Sequence, residues 1–155
     1  MPAEYTNPNE QTIAPGESAI FTLATIPCTR GFVRWRSGSG AFNLAGLNTS
    51  NTGCRCGCTN NRAAYYDVNF GANVAIPEDG TVAPISFSLS LDGVTLPETT
   101  RIVTPSAVNE FNNLEWKSTI PIWNNCCQTL SVTNTGTAPV TMTNPLLSFN
   151  RFIIG

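Results

Sequence analysis

Apolar and polar residues alternate along most of this chain. Ile85, Phe87, Leu89 and Leu91 are separated by single serines. That is period 2, the mark of a strand with one face buried. Asp92-Gly93 follows and reads as a tight hairpin into Val94–Leu96. Tyr66, Val68 and Phe70 point one way in a strand expected over Ala64–Ile76. Leu130 and Val132 alternate with threonine and serine in Gln128–Thr133. A turn rich in Asn, Gly and Thr then leads to Val140 and Met142, and a last run covers Leu146–Phe152. The spacing predicts further strands over Ser18–Ala24, Gly31–Arg36, Ala41–Leu44, Thr99–Thr104 and Phe111–Ile122. A helix over Ala107–Trp116 conflicts with Asn112-Asn113 in its middle.

About eight to ten short strands with a turn every ~8–12 residues is the pattern of an all-β sandwich or barrel. At 155 residues the chain is expected to form one domain. Residues 1–12, with Pro2 and Pro8, read as an N-terminal arm, and 13–155 as the domain. The alternation predicts Tyr66, Val68, Phe87, Leu89, Leu130 and Val132 inside an antiparallel two-sheet sandwich.

Charge narrows the function classes. Only 12% of residues are charged, the net charge is −2, and there is no histidine. Histidine-based general bases, triads and metal ligands are therefore excluded. Nucleic acid is not an expected partner at this charge. Neither is a membrane, since no run approaches the ~18 apolar residues of a spanning helix. The polar start MPAEYTNPNEQ has no secretory-signal pattern.

Six cysteines are the main chemical candidates: Cys28, Cys54, Cys56, Cys58, Cys126 and Cys127. Three readings stand for them. Disulfides within or between subunits are one. A thiolate-bound metal is another, although one-residue spacing is unusual where two to four is the norm. Buried free thiols are the third. Cys126 and Cys127 are adjacent and do not readily bond to each other, given the geometry a disulfide needs. On a strand they would face opposite ways. A hypothesis follows, that the Cys54/Cys56/Cys58 loop is tied to the Cys126/Cys127 pair.

Arg34, Trp35 and Arg36, with Arg30 nearby, form a small basic-aromatic group. It reads as a subunit interface with Trp35 as anchor, or as an ordinary solvated face. Glu78, Asp79 and Asp92 read as turn chemistry. Glu110 and Glu115 could pair as carboxylates, but no third polar partner accompanies them. Asn48-Thr49-Ser50 matches a glycosylation triplet. No catalytic residue, cofactor or metal is expected.

Two stretches carry a family resemblance. Ile85–Pro97 is similar to an "SLxLDGxxLP" hairpin, and Gln128–Arg151 to an "LxLxNTGTxPVTLTNAxLxFxR" segment. Together these resemble the tumour-necrosis-factor-like jelly-roll heads of collagen-like spore-surface proteins of Firmicutes. Compact decoration and fibre proteins of phages look similar. The resemblance covers about 90 residues from Tyr65 onward. This chain has no Gly-X-Y segment, and its arginine/tryptophan strand and cysteine-rich loop lie outside the pattern.

The resemblance implies a jelly-roll sandwich and a homotrimer. It also implies a non-enzymatic structural protein on a spore, cell or virion surface, in contact with itself and with other coat or capsid proteins. The alternative is a ligand- or carbohydrate-binding jelly-roll module.

Overall fold

The computed structural model describes residues 2–47, 59–124 and 126–153, with backbone alone for 59–61. Two antiparallel sheets, each of six strands, pack face to face as an all-β sandwich. The first sheet contains β1 (Pro2–Thr6), β2 (Gln11–Ile13), β3 (Leu23–Ile26), β6 (Thr59–Ala75), β10 (Asn112–Asn124) and β12 (Val140–Ile153). Its order is β10-β6-β12-β1-β3, with β2 also on β12. The second contains β4 (Val33–Arg34), β5 (Phe42–Ala45), β7 (Ile85–Leu91), β8 (Val94–Thr95), β9 (Arg101–Val103) and β11 (Cys127–Asn134). Its order is β4-β5-β11-β7-β8, with β9 also on β7. Pro97–Thr99 forms a single 3-10 turn.

The chain crosses repeatedly between sheets. β12 slots between β6 and β1, and β11 between β5 and β7. Late strands inserted between early ones, sheet against sheet, give jelly-roll order. Each sheet buries one face, so the period-2 alternation becomes a core. All six residues expected inside, Tyr66, Val68, Phe87, Leu89, Leu130 and Val132, are fully buried.

The Asp92-Gly93 hairpin forms as expected. Both residues have positive φ, 51° and 80°, which matches the right-handed twist of β7 and β8. The Asp92 carboxylate then accepts a hydrogen bond from the Thr129 amide at 2.9 Å, tying the hairpin to β11.

Three expectations need correction. Residues 1–12 do not form an arm outside the domain. β1 pairs with β12 from Pro2↔Asn150 to Thr6↔Leu146 and with β3 on its other side. It buries Ala3 and Tyr5. The strand expected over Ser18–Ala24 is reduced to isolated bridges at Ser18 and Phe21, and regular pairing begins only at Leu23. Ala19 and Phe21 are buried as the alternation implies, but Leu23 faces outward.

The third correction concerns the C-terminal turn. Residues 135–139 carry the chain across the sandwich rather than between neighbouring strands, because β11 and β12 belong to opposite sheets. Asn134 organises this crossing. Its buried amide donates to the carbonyls of Ile13 and Ala138, each at 3.0 Å, and its Oδ1 accepts from the Gly136 amide at 2.9 Å. Satisfying a buried amide in this way fixes the route of the backbone.

Candidate functional site

Among the described residues the sequence candidates do not converge. Arg34 and Arg36 are exposed, as a surface pair should be. Trp35 turns inward instead. Its ring lies 5.0 Å from Tyr5 and stacks on Phe42 at 6.1 Å, and its Nε1 donates to the Ser39 carbonyl at 3.0 Å. Trp35 therefore anchors its own chain. Glu110 accepts from Ser106 in the loop before β10, whereas Glu115 lies within β10. Asp92 serves its hairpin, and Glu78 and Asp79 are exposed.

Cys28 is a free, half-buried thiol whose Sγ accepts the Val33 amide at 3.5 Å. Cys126 is buried in the core and Cys127 opens β11. Both are disulfide-bonded. Cys54, Cys56, Cys58 and the triplet at Asn48 lie outside the described residues. Among the described residues no group of three or more acidic, cysteine or histidine side chains could hold a metal ion. Among them, too, no helix is long and apolar enough to cross a membrane.

One end of the sandwich holds a buried polar cluster that the sequence did not reveal. The Tyr66 hydroxyl donates to the Ala45 carbonyl at 2.6 Å. The Arg151 guanidinium sits 3.8 Å over the Phe32 ring and donates to the Gly46 carbonyl at 3.3 Å. Burial pushes the Tyr66 phenol up to about 12 against the opposing pull of Arg151. Burial, with Cys28 second, pushes Tyr5 up to about 12 as well.

Both tyrosines are thus held neutral in the fold and ionise more easily when unfolded. Their contribution is complete below the unfolded value near 10 and is lost as pH rises through about 12. Denaturant unfolding measured from pH 8 upward is expected to show flat stability to about pH 10, then a fall. Tyr66→Phe should cost about 1–3 kcal/mol at neutral pH, because the Ala45 carbonyl loses its buried donor, and should lessen the alkaline fall. Unchanged stability in the variant would rule out this role for the hydroxyl.

The outer faces of the two sheets differ in how their polar groups are used. On the second sheet the hydroxyls satisfy one another. Ser88 bonds Thr100 at 2.7 Å, Ser86 bonds Thr135 at 2.7 Å, and Ser90 donates to Thr133 at 3.1 Å. These bonds explain why Ser88 and Ser90, polar members of the β7 alternation, are buried.

On the first sheet, an open concavity of about 630 Å³ lies over β10, β6 and β12. Asn69, Asn73 and Asn113 line it, with Glu115 and Lys117. Asn144 and Ser148 complete the polar rim. Gly71 lies at its centre, paired with Glu115 on one side and Leu146 on the other.

Neither a scan of protein-family models nor a search of curated proteins finds a match to this chain.

Proposed function

We propose that this chain is a non-enzymatic structural protein that assembles with copies of itself, as a homotrimer, on a spore, cell or virion surface. The observation that carries the reading is an apolar strip on the outer face of the first sheet. Edge strand β3 exposes Leu23 and Ile26, 49% and 42% accessible. Leu23 pairs with Thr6, and Thr6 with Leu146, which is 44% accessible. Leu23 and Ile26 thus stand at a sheet edge that is unpaired among the described residues, with Leu146 two strands further in on the same face. An exposed edge offers backbone donors and acceptors to a second chain, and apolar neighbours favour its docking. The sparse charge of the surface fits association better than repulsion. Placement on a spore or virion surface rests on the resemblance of Ile85–Pro97 and Gln128–Arg151, as does contact with other coat or capsid proteins.

Disulfides belong to the same reading. Cys126 and Cys127 are disulfide-bonded, Cys28 is free, and adjacent cysteines bond to each other only with difficulty. We infer that their partners come from Cys54, Cys56 and Cys58, of the same subunit or its neighbour. Such links resist drying and detergent, each contributing ~2–4 kcal/mol against unfolding.

The test is sedimentation of the double variant Leu23→Glu, Ile26→Glu beside the parent chain. The variant is expected to sediment as a smaller species with an unchanged β-sheet circular dichroism spectrum. A variant that retains the parent's mass would remove β3 from the interface. Peptide mapping without reductant should recover Cys126 or Cys127 joined to the Cys54–Cys58 segment.

A further inference from the structure

We propose that the concavity over Gly71 is a binding site for a neutral, polyhydroxylated oligosaccharide. The argument begins with the glycine. Gly71 sits in the interior of β6, where glycine costs about 0.5–1 kcal/mol relative to a residue with a side chain. The fold does not require it. Its φ is not positive, so no turn depends on it. A Cβ added there would meet only Glu115 Cβ at 3.6 Å and Glu115 Oε2 at 3.8 Å, ordinary contact distances. A strand glycine that neither bends its own strand nor avoids a clash marks a place where something from outside comes close to the backbone.

A second feature points to the same spot. β12 loses register between Thr143 and Leu146, directly before the Leu146↔Gly71 pair. Asn144, within that irregularity, has φ of 52° and lines the concavity. Bulges re-aim side chains beside functional sites, and left-handed residues gather there.

The rim supplies the chemistry. Its four asparagines each offer two donors and an acceptor, Ser148 a hydroxyl, Glu115 an acceptor and Lys117 three donors. Among the described residues, none of these seven side chains has a hydrogen bond or ion pair within the chain. The second sheet, by contrast, pairs its serines and threonines with one another. A dense set of uncommitted amides with one charge of each sign matches a ligand made of hydroxyls and ring oxygens. The volume falls within the ~300–1,000 Å³ usual for ligand sites.

A second copy of the chain would be the competing occupant. The cores of protein interfaces are depleted in charged residues and enriched in aromatic ones. Here Glu115 and Lys117 line the concavity, while Phe70 and Trp116 are buried beneath it. Of the apolar strip, Leu146 also lines the concavity, whereas Leu23 and Ile26 lie at the other edge of the sheet.

The experiment is amide-shift mapping by NMR on the full chain. The probes are maltotriose, mannotriose and the trisaccharide of N-acetylglucosamine, each titrated into the millimolar range. At least one is expected to shift the side-chain amides of Asn69, Asn73 and Asn113 saturably. Gly71→Leu should weaken that binding by about tenfold or more by filling the floor. Asn73→Ala combined with Asn113→Ala should weaken it similarly by removing surface donors, and it serves if the leucine variant does not fold. Absence of a saturable shift with all three probes overturns the proposal. So does binding that survives both variants. If Gly71→Leu instead lowers the assembled mass and no sugar binds, the concavity is a contact between copies. A sugar-binding trimer whose mass is unchanged by Gly71→Leu leaves self-assembly and this site standing separately.

Discussion

Phe42→Ala is expected to lower the free energy of unfolding by about 3–5 kcal/mol. Phe42 belongs to β5, yet most of its ring contacts come from elsewhere in the chain. Its ring centroid lies 4.8 Å from Tyr5 and 5.4 Å from Phe149, both across the sandwich in the first sheet. Phe21 meets it edge-on at 5.3 Å, and Trp35 stacks on it at 6.1 Å. The side chain is fully buried. Removing the ring leaves a cavity lined by four other aromatics, which cannot collapse without moving both sheets. Aromatic pairing adds to the lost burial. Phe87, equally buried, should behave in the same way. Phe111, 46% exposed, is the control, and its change to alanine should stay within about 0.5 kcal/mol. Urea unfolding of the three variants checks this. A Phe42→Ala loss no larger than that of Phe111→Ala would contradict the packing described.

Gly46→Ala should be more damaging still, costing upward of about 4 kcal/mol or preventing a cooperative fold. A Cβ at Gly46 would lie 2.1 Å from the Trp123 carbonyl oxygen and 2.7 Å from that of Cys126. Both obstacles are backbone, so no rotamer change relieves them. The Gly46 amide also donates to the Cys126 carbonyl at 2.8 Å, which holds the two segments at this distance. Forcing them apart would disturb the neighbouring Ala45 carbonyl bonded by Tyr66 and the Gly46 carbonyl bonded by Arg151. Gly71→Ala makes the matching control, since its Cβ meets nothing closer than 3.6 Å. That change should be neutral or raise stability by several tenths of a kcal/mol. Thermal unfolding followed by circular dichroism separates the two. A Gly46→Ala protein as stable as Gly71→Ala would contradict the geometry of this corner.

Short-range pattern made much of this fold legible. Ile85–Leu91 alternates strictly and ends in Asp92-Gly93, so both the strand and its hairpin could be read from neighbouring residues. Alternation also identified which sides of β6 and β11 are buried. It does not say which sheet a strand joins, and there the reading fell short. The turn after Asn134 resembles a hairpin locally. Its path is set by the buried Asn134 amide reaching Ile13, 121 residues away in sequence. β1 was missed because Ala3 and Tyr5 are only two alternating positions. Its place depends on pairing with β12 at the far end of the chain. Trp35 looked like a surface anchor because its neighbours are arginines, yet its partners Tyr5 and Phe42 are brought to it only by the fold.

The concavity was less visible still. Asn69, Asn73 and Asn113 carry no signal in the sequence, Glu115 stood out only beside Glu110, and their convergence depends on the β10–β6–β12 register. The one local signal was Gly71, a glycine inside a strand with no turn to make.

Self-assembly is the central claim, and the native mass of the unmodified chain tests it most directly. Sedimentation equilibrium at micromolar concentration, with and without reductant, is the measurement. The account predicts a species three times the mass of one chain. A monomer at that concentration under both conditions would contradict it.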